Sequence, residues 1–351
     1  NKSMQIMPSK SMEMGHQPKS GGFKLPFRTK IRRAPADTDL TGKVAIITGG
    51  NTGLGLHCAR HLLSLKLSHL ILAVRSPKKG ESAAAGLRAD YPAATVDVWT
   101  LEMTSYSSIQ DFCKRAGTDL KRLDFTILNA GAVKVDFGIC STGHEEVIQI
   151  NYLSTFLLAI LMLPICKDKA PSGSPGRLTI VSSGTALMAK FLNRDKRPLL
   201  ASFDDTTIQP WDSIERYFSS KMLGHLFFAR LIDYLNPDDV IVNLVEPGMC
   251  KGSELHREVP GVAGVFLNTY KAIAGRNPAD GAWTYVDAAL VKGKESHGCF
   301  LLDWEIHPFT KLVYLPEGKL VIDTLWDETM AEYEFAGARE ILNKCKPKDN
   351  A

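Results

Sequence analysis

Paired cysteines are the first thing this chain lacks. Its seven cysteines (Cys58, Cys113, Cys140, Cys166, Cys250, Cys299 and Cys345) include no Cys-x-x-Cys pair. An odd, scattered set argues against a disulfide frame and for reduced thiols, so a cytoplasmic protein is expected. No His, Cys and Asp residues stand at metal-ligand spacing, so no metal is expected. Long apolar runs are also missing. The most apolar one, Leu153 to Ile165, is interrupted by Ser154, Thr155 and Pro164, and reads as a buried helix rather than an integral membrane segment. Residues 1–39 have no apolar centre of the kind a secretory signal needs. A large charge excess is absent as well. The formal charge is +4, and residues 1–39 hold eight Lys/Arg against three acids, so the rest nets −1. A near-neutral body excludes a nucleic-acid surface, and no nucleic-acid partner is expected.

What remains is a globular composition, 44% hydrophobic and 23% charged over 351 residues. Residues 1–39, rich in Ser, Lys, Met, Gly and Pro, read as a flexible basic arm. Order begins at Leu40. Val44 to Thr48 is a continuous apolar run, the mark of a strand buried on both faces. It leads into Gly49-Gly-Asn-Thr-Gly53-Leu-Gly55 and then a helical pattern from Leu56 to Leu65. Strand, glycine turn and helix together suit a pyrophosphate, because missing β-carbons let the backbone approach it at a positive helix N-terminus. Thr48, Gly49, Asn51, Thr52, Gly53, Leu54 and Gly55 are the cofactor-binding residues expected there. No Gly-Lys-Ser/Thr follows, which excludes a P-loop.

The alternation continues. Strands are expected at 70–74, 95–101, 124–128, 177–181, 240–245 and 298–302. Helices are expected near 77–89, 105–119, 142–166, 217–235 and 278–291. Repeated βα units imply an α/β fold with a doubly wound parallel sheet of Rossmann type. One domain is expected over 40–305, with an insertion at 184–212 after strand five and a C-terminal extension at 306–351. After strand two, where an acid would bind the ribose of NAD, stands Arg75. Its fork suits a 2′-phosphate, so NADP (NADPH) is the expected cofactor, the other reading being that Arg75 merely opens a basic helix.

Among nine tyrosines, only Tyr217 has a lysine four residues on, Lys221. One helical turn places the two on one face. A cation there favours the phenolate and is expected to lower the tyrosine from about 10 towards neutral. Such a group can exchange protons near pH 7.

These motifs together resemble the short-chain dehydrogenase/reductase family over roughly residues 40–305. Its Thr-Gly-x-x-x-Gly-x-Gly turn is matched by Thr48, Gly49, Gly53 and Gly55. Its Asn-Ala-Gly is Asn129, Ala130 and Gly131. Its helix asparagine is matched by Asn151, its serine by Ser183, its Tyr-x-x-x-Lys by Tyr217 and Lys221, and its Pro-Gly by Pro247 and Gly248. There are departures. Leu128 stands where many members have a second Asn, Glu102 replaces an adenine-contacting Asp, and Ser253 stands in for a threonine after Pro-Gly. Ser183 and Tyr217 are 34 residues apart, as in the longer retinol-dehydrogenase-like and protochlorophyllide-reductase-like members. Cys250 to Leu255 and Leu325 to Thr329 resemble fungal members, many tied to secondary metabolism.

The resemblance implies an NADP(H)-dependent oxidoreductase that moves hydride between nicotinamide and a carbonyl or alcohol. Tyr217 would be the acid/base, Lys221 would tune it and hold the ribose, and Ser183 would bind the carbonyl oxygen. Asn151 would hold a water linking Lys221 to solvent. A non-redox rearrangement or cyclisation in the same pocket stays open, as does a non-catalytic NADP(H) sensor. Met188, Phe191, Leu192, Leu199, Leu200 and Phe203 of the insertion, and the loop 249–275 with Leu255, Val259, Val262, Val265, Phe266 and Tyr270, suit an apolar, medium-sized substrate. His225 is expected on the helix surface. The C-terminal extension has three open roles: covering the pocket, packing on the body, or forming a homo-oligomer.

Overall fold

Among the described residues, six strand–helix units follow one another before the chain changes habit. The computed structural model describes residues 9–15, 29–251 and 275–347. After a short helix, α1 (Lys10–Glu13), come β1 (Val44–Thr48), α2 (Gly53–Ser64), β2 (His69–Val74), α3 (Pro77–Asp90), β3 (Thr95–Thr100), α4 (Tyr106–Asp119) and β4 (Phe125–Leu128). Next are α5 (Glu146–Ile148), a π-helical turn (Gln149–Ser154) and α6 (Thr155–Asp168). Then follow β5 (Gly176–Val181), α7 (Ser213–Leu231), β6 (Val240–Glu246), α8 (Pro278–Val286), β7 (Phe300–Leu302), β8 (Glu305–His307), α9 (Pro316–Glu332) and α10 (Ala338–Cys345).

One sheet takes all the strands, in the order β3-β2-β1-β4-β5-β6-β7-β8. It is parallel except for the β7–β8 pair. This is the doubly wound, Rossmann-type order with its reversal between β1 and β4, the place where such sheets bind ligands. Both faces are covered. In β1, Ile46 points into a core with α4, α6 and α7, while Ala45 and Ile47 point into a second core with α2, α3 and α8. The apolar strand runs follow from that double burial: every residue of β4 and β6 is buried.

Local signals set the helix starts. Ser76, Ser105, Asp212 and Asn277 each cap a helix by accepting a backbone N–H, and Pro278 follows the last of these. Helix 146–168 is long and apolar enough to cross a membrane, but it is mostly buried in the core.

Two parts differ from expectation. The arm was expected to be free, yet residues 9–15 are docked. The Ser9 hydroxyl donates to Gly298 O at 2.6 Å, and the Ser11 hydroxyl donates to His307 O at 2.7 Å and accepts from Phe300 N at 3.0 Å. Two small polar side chains that reach backbone groups leave no periodicity to read. The eighth strand was also missed, because three residues after a two-residue turn carry too little pattern. That turn, Asp303-Trp304, has positive φ at both residues (52° and 64°), as a type I′ hairpin turn requires.

The C-terminal extension packs on the body. Trp326 stacks on Phe227 and Tyr234, and the Tyr333 hydroxyl donates to Leu153 O at 2.6 Å. It also holds the insertion: the Glu328 carboxylate accepts from Leu199 N and Leu200 N at 2.7 and 2.8 Å.

Candidate active site

The glycine turn after β1 is tied to the turn after β4. Thr48 Oγ1 accepts from Ala130 N at 2.9 Å, and the Asn129 amide donates to Thr48 O at 2.9 Å and Gly49 O at 3.3 Å. Gly49 and Gly53 have positive φ (65° and 52°). A Cβ on Gly55 would lie 2.6 Å from both Gly49 O and the Asn129 amide nitrogen, so only glycine fits. Thr52 gives α2 no side-chain cap. Asn51 and Leu54 are half-buried, while Thr52 and Gly53 are exposed. A bare helix start behind a β-carbon-free turn fits a pyrophosphate.

Arg75 directly follows β2 and is exposed; its Nε lies 4.0 Å from a Glu102 carboxylate oxygen. Glu102 also accepts from Thr104 N at 3.1 Å. The two side chains therefore share one rim of the crevice beyond β2 and β3. Pro247 and Gly248 follow β6, and Gly248 has a φ of 78°. Ser253 and the apolar residues named in the loop from 255 to 270 lie outside the described residues.

Ser183, Tyr217, Lys221 and Asn151 come together beyond β4 and β5. The Ser183 hydroxyl hydrogen-bonds the Tyr217 phenol. Lys221 Nζ lies 5.8 Å from the centre of the Tyr217 ring and donates to Val181 O at 3.1 Å. Asn151 stands in the π-helical turn, and its amide is engaged with backbone. It donates to Ala132 O at 2.8 Å and Ser220 Oγ at 3.0 Å, and accepts from Ala132 N at 2.8 Å. It thereby pins the chain after β4 against α7, with both donors taken. A Cβ on Gly131 would sit 3.2 Å from Asn151 Oδ1 and 3.7 Å from Lys221 Nζ.

The electrostatics correct one expectation. Burial pushes the Tyr217 phenol up to about 12; the Ser183 hydrogen bond opposes this, and the charge of Glu246 adds to it. Burial pulls the Lys221 ammonium down to about 8. The lysine was expected to bring the tyrosine towards neutral. Instead its ammonium bonds to a carbonyl, not to the phenol oxygen, and desolvation decides both shifts.

The family model described as short chain dehydrogenase matches residues 43–193. A short chain dehydrogenase/reductase, mfmJ of Annulohypoxylon moriforme, is 56% identical over 325 residues, which span 92% of this chain and 94% of that one. The chain belongs to the short-chain dehydrogenase family. Its members are oxidoreductases that bind nicotinamide cofactors. Short chain dehydrogenase virL of Hypocrea virens is 41% identical over 93% of this chain and 95% of its own. The likeness to fungal members read from the sequence is thus borne out. Among solved structures, the Pseudomonas aeruginosa RhlG/NADP active-site complex aligns with a TM-score of 0.56 at 20% identity, over 79% of this chain and 98% of that one. Salutaridine reductase from Papaver somniferum aligns with 0.56 at 20% identity, over 74% and 99%. These two likenesses concern the fold.

Sequence reasoning missed two polar groups of this short-chain dehydrogenase. His225, expected on the surface, is fully buried one turn beyond Lys221. Its Nδ1 faces Thr310 N at 3.3 Å and its Nε2 faces Ser182 Oγ at 3.1 Å. The backbone N–H can only donate, so Nε2 carries the proton and donates to Ser182. Burial pulls the imidazole down to about 3, which keeps it neutral. Its spacing of four from Lys221 was the available signal. The second is Glu246, the last residue of β6, whose carboxylate accepts from Gly248 N at 2.8 Å. An acid ending an apolar strand just before Pro-Gly was its signal.

Proposed function

We propose that this protein is an NADP(H)-dependent oxidoreductase that moves hydride between the nicotinamide and a carbonyl or alcohol carbon of an apolar, medium-sized substrate. The observation that carries the reading is the buried Tyr217 phenol, hydrogen-bonded to Ser183 with Lys221 one turn away, at the end of β5.

The cofactor, when bound, supplies or accepts the hydride. The rest falls to this chain. The turn from Gly49 to Gly55 and the start of α2 receive the pyrophosphate. Asn129, Ala130 and Gly131 shape the neighbouring wall, with Pro247 and Gly248 opposite. Arg75 pairs with the 2′-phosphate; Lys78 and Lys79, exposed just beyond it, add positive charge. Ser183 donates a hydrogen bond to the substrate oxygen, where negative charge develops during reduction. Tyr217 gives that oxygen a proton in reduction and takes it back in oxidation. A phenol held at about 12 is protonated at neutral pH, as the acid role requires. Lys221 holds the ribose, and Asn151 keeps the loop after β4 in place against α7.

Apolar character of the substrate is supported by exposed apolar side chains on the segments next to Ser183 and Tyr217. Met188 and Leu192, on the insertion that leaves Ser183, and Ile214, at the start of the helix that carries Tyr217, are exposed. Phe191, Leu199, Leu200 and Phe203 are buried instead and join the core that holds α4, α6 and α7. The kinship to fungal members supports a place in secondary metabolism.

The test is NADPH consumption across a panel of apolar ketones, with product mass measured. A product two mass units heavier than its ketone supports the reading. NADPH left unconsumed while a substrate isomerises or cyclises would replace it with a non-redox one.

A further inference from the structure

Glu246 ends a strand whose residues are all buried, and it is itself only 5% exposed. A carboxylate taken that far from water needs compensation. It receives it from backbone: the N–H of Gly248 at 2.8 Å, and the N–H of Gly184, which also favours its charged form. Those two donors belong to different turns. Gly184 directly follows Ser183 after β5, and Gly248 closes Pro247-Gly248 after β6. One side chain thus spans the serine turn and the Pro-Gly turn.

The surroundings are charged and fixed. Arg276 pairs with Asp303, donates to Pro247 O at 3.2 Å, and lies over the Trp304 ring at 5.0 Å. Arg276 N donates to Met249 O at 2.7 Å, and Lys251 N donates to Arg276 O at 2.8 Å. A Cβ on Gly248 would fall 2.2 Å from an Arg276 nitrogen, so the guanidinium closes the turn from outside while Glu246 closes it from inside. The ionisable groups facing Glu246 are Asp303 at the β7–β8 turn, Arg276, Tyr217 on α7 and Tyr285 on α8.

We propose that Glu246 is a positioning residue of the reaction: its buried carboxylate fastens the turn that carries Ser183 to the Pro247-Gly248 turn, and sets negative charge against the Tyr217 phenol. This deepens the proton-donor reading of Tyr217 and rests on it. The charge keeps the proton on the phenol, which suits a group that must arrive as an acid. Burial and Asp303 push Glu246 itself up to about 7, so its influence switches on as pH rises through neutrality.

The test places a fluorinated tyrosine at 217, whose more acidic phenol titrates below the unfolding range, and follows it by fluorine NMR in the full chain. Two results are expected. The resonance of the otherwise wild-type protein should show a minor inflection near pH 7 from Glu246, absent in Glu246→Gln. The phenol should then ionise about one pH unit lower in Glu246→Gln, because a like charge has gone while an oxygen acceptor remains. NADPH titration by fluorescence reads the fastening: Glu246→Ala should bind more weakly, with Gln restoring it. A phenol that titrates identically in both proteins would overturn the proposal. So would the absence of any inflection below the phenol's own titration in the otherwise wild-type protein, a result that stands even where Gln disturbs folding. Neither readout uses a turned-over substrate. A shifted phenol in a chain whose Tyr217→Phe variant keeps full turnover would sink the acid role of Tyr217 and leave the charge coupling standing.

Discussion

The half of the sheet from β1 to β4 and the half from β5 to β8 build their parts of the site by different means. The first uses a glycine turn held by short side-chain-to-backbone bonds. Its glycine turn, Thr48 and Asn129 interlock through groups that are near neighbours at strand ends. The second uses buried charged and polar side chains, Tyr217, Lys221, His225, Glu246 and Arg276, with Asp303 half-buried beside them. Backbone cradles cost little once the turn is glycine. Buried charges are costly, and each must find a partner far along the chain. The lesson is that the first half depends on an absent β-carbon at Gly55 and on short links between neighbouring strand ends, and the second on side chains whose partners lie far along the chain.

Lys221→Met should break the second half most severely. Turnover should fall by about 10²–10⁴-fold, NADPH binding should weaken, and the melting temperature should rise. The rise follows because a buried ammonium held down at about 8 is a folding cost that methionine does not have. Steady-state kinetics and a melting curve check both. A parallel loss of stability would contradict the claim that this lysine is retained at a cost to stability.

His144 tests the insertion and the extension together. It lies between Asp204 of the insertion at 3.0 Å and Glu332 of α9 at 3.4 Å. Burial opposes its charge, but the two carboxylates overcome this and raise it to about 9. A raised pKa stabilises below the unfolded value near 6.5, and that stability is lost as pH rises through 9. The unfolding free energy gap between wild type and His144→Gln should therefore shrink across that window by about 1–2 kcal/mol, less than the full shift because solvent screens a partly open ring. Denaturant unfolding at pH 6 and above 9 measures it; a constant gap would assign His144 a packing role.

Gly55→Ala should hurt the first half through space alone. Its Cβ would meet Gly49 O at 2.6 Å, a backbone atom that cannot swing away. A cost of about 1–3 kcal/mol is expected, with weaker binding of both NADPH and NADH, measured by melting and by cofactor fluorescence. Arg75→Ala should be the mildest. Its side chain is exposed, so stability should stay within about 0.5 kcal/mol while NADPH affinity drops about tenfold more than NADH affinity. Equal losses would assign Arg75 no part in cofactor choice.

The same contrast explains what the sequence reveals. The turn from Thr48 to Gly55, the Asn129-Ala-Gly131 end of β4 and the Tyr217–Lys221 spacing are local patterns, and each stands at a strand end or on a helix face where the fold needs it. Glu246, His225 and the Ser9–Gly298 contact are not local. They join residues 62, 85 and 289 positions apart in their longest links, and nothing in a single stretch announces a partner so distant. The tyrosine's proton affinity was misjudged for the same reason. Spacing shows that a lysine is near, whereas burial is a property of the whole molecule, and burial decided the outcome.

Tyr217→Phe tests the central claim most directly. It removes one hydroxyl and leaves Lys221, Ser183 and the glycine turn in place. NADPH should bind as to wild type, while turnover of an identified ketone falls by about 10²–10⁴-fold. Wild-type turnover in Tyr217→Phe would contradict the account and require another acid or a different reaction.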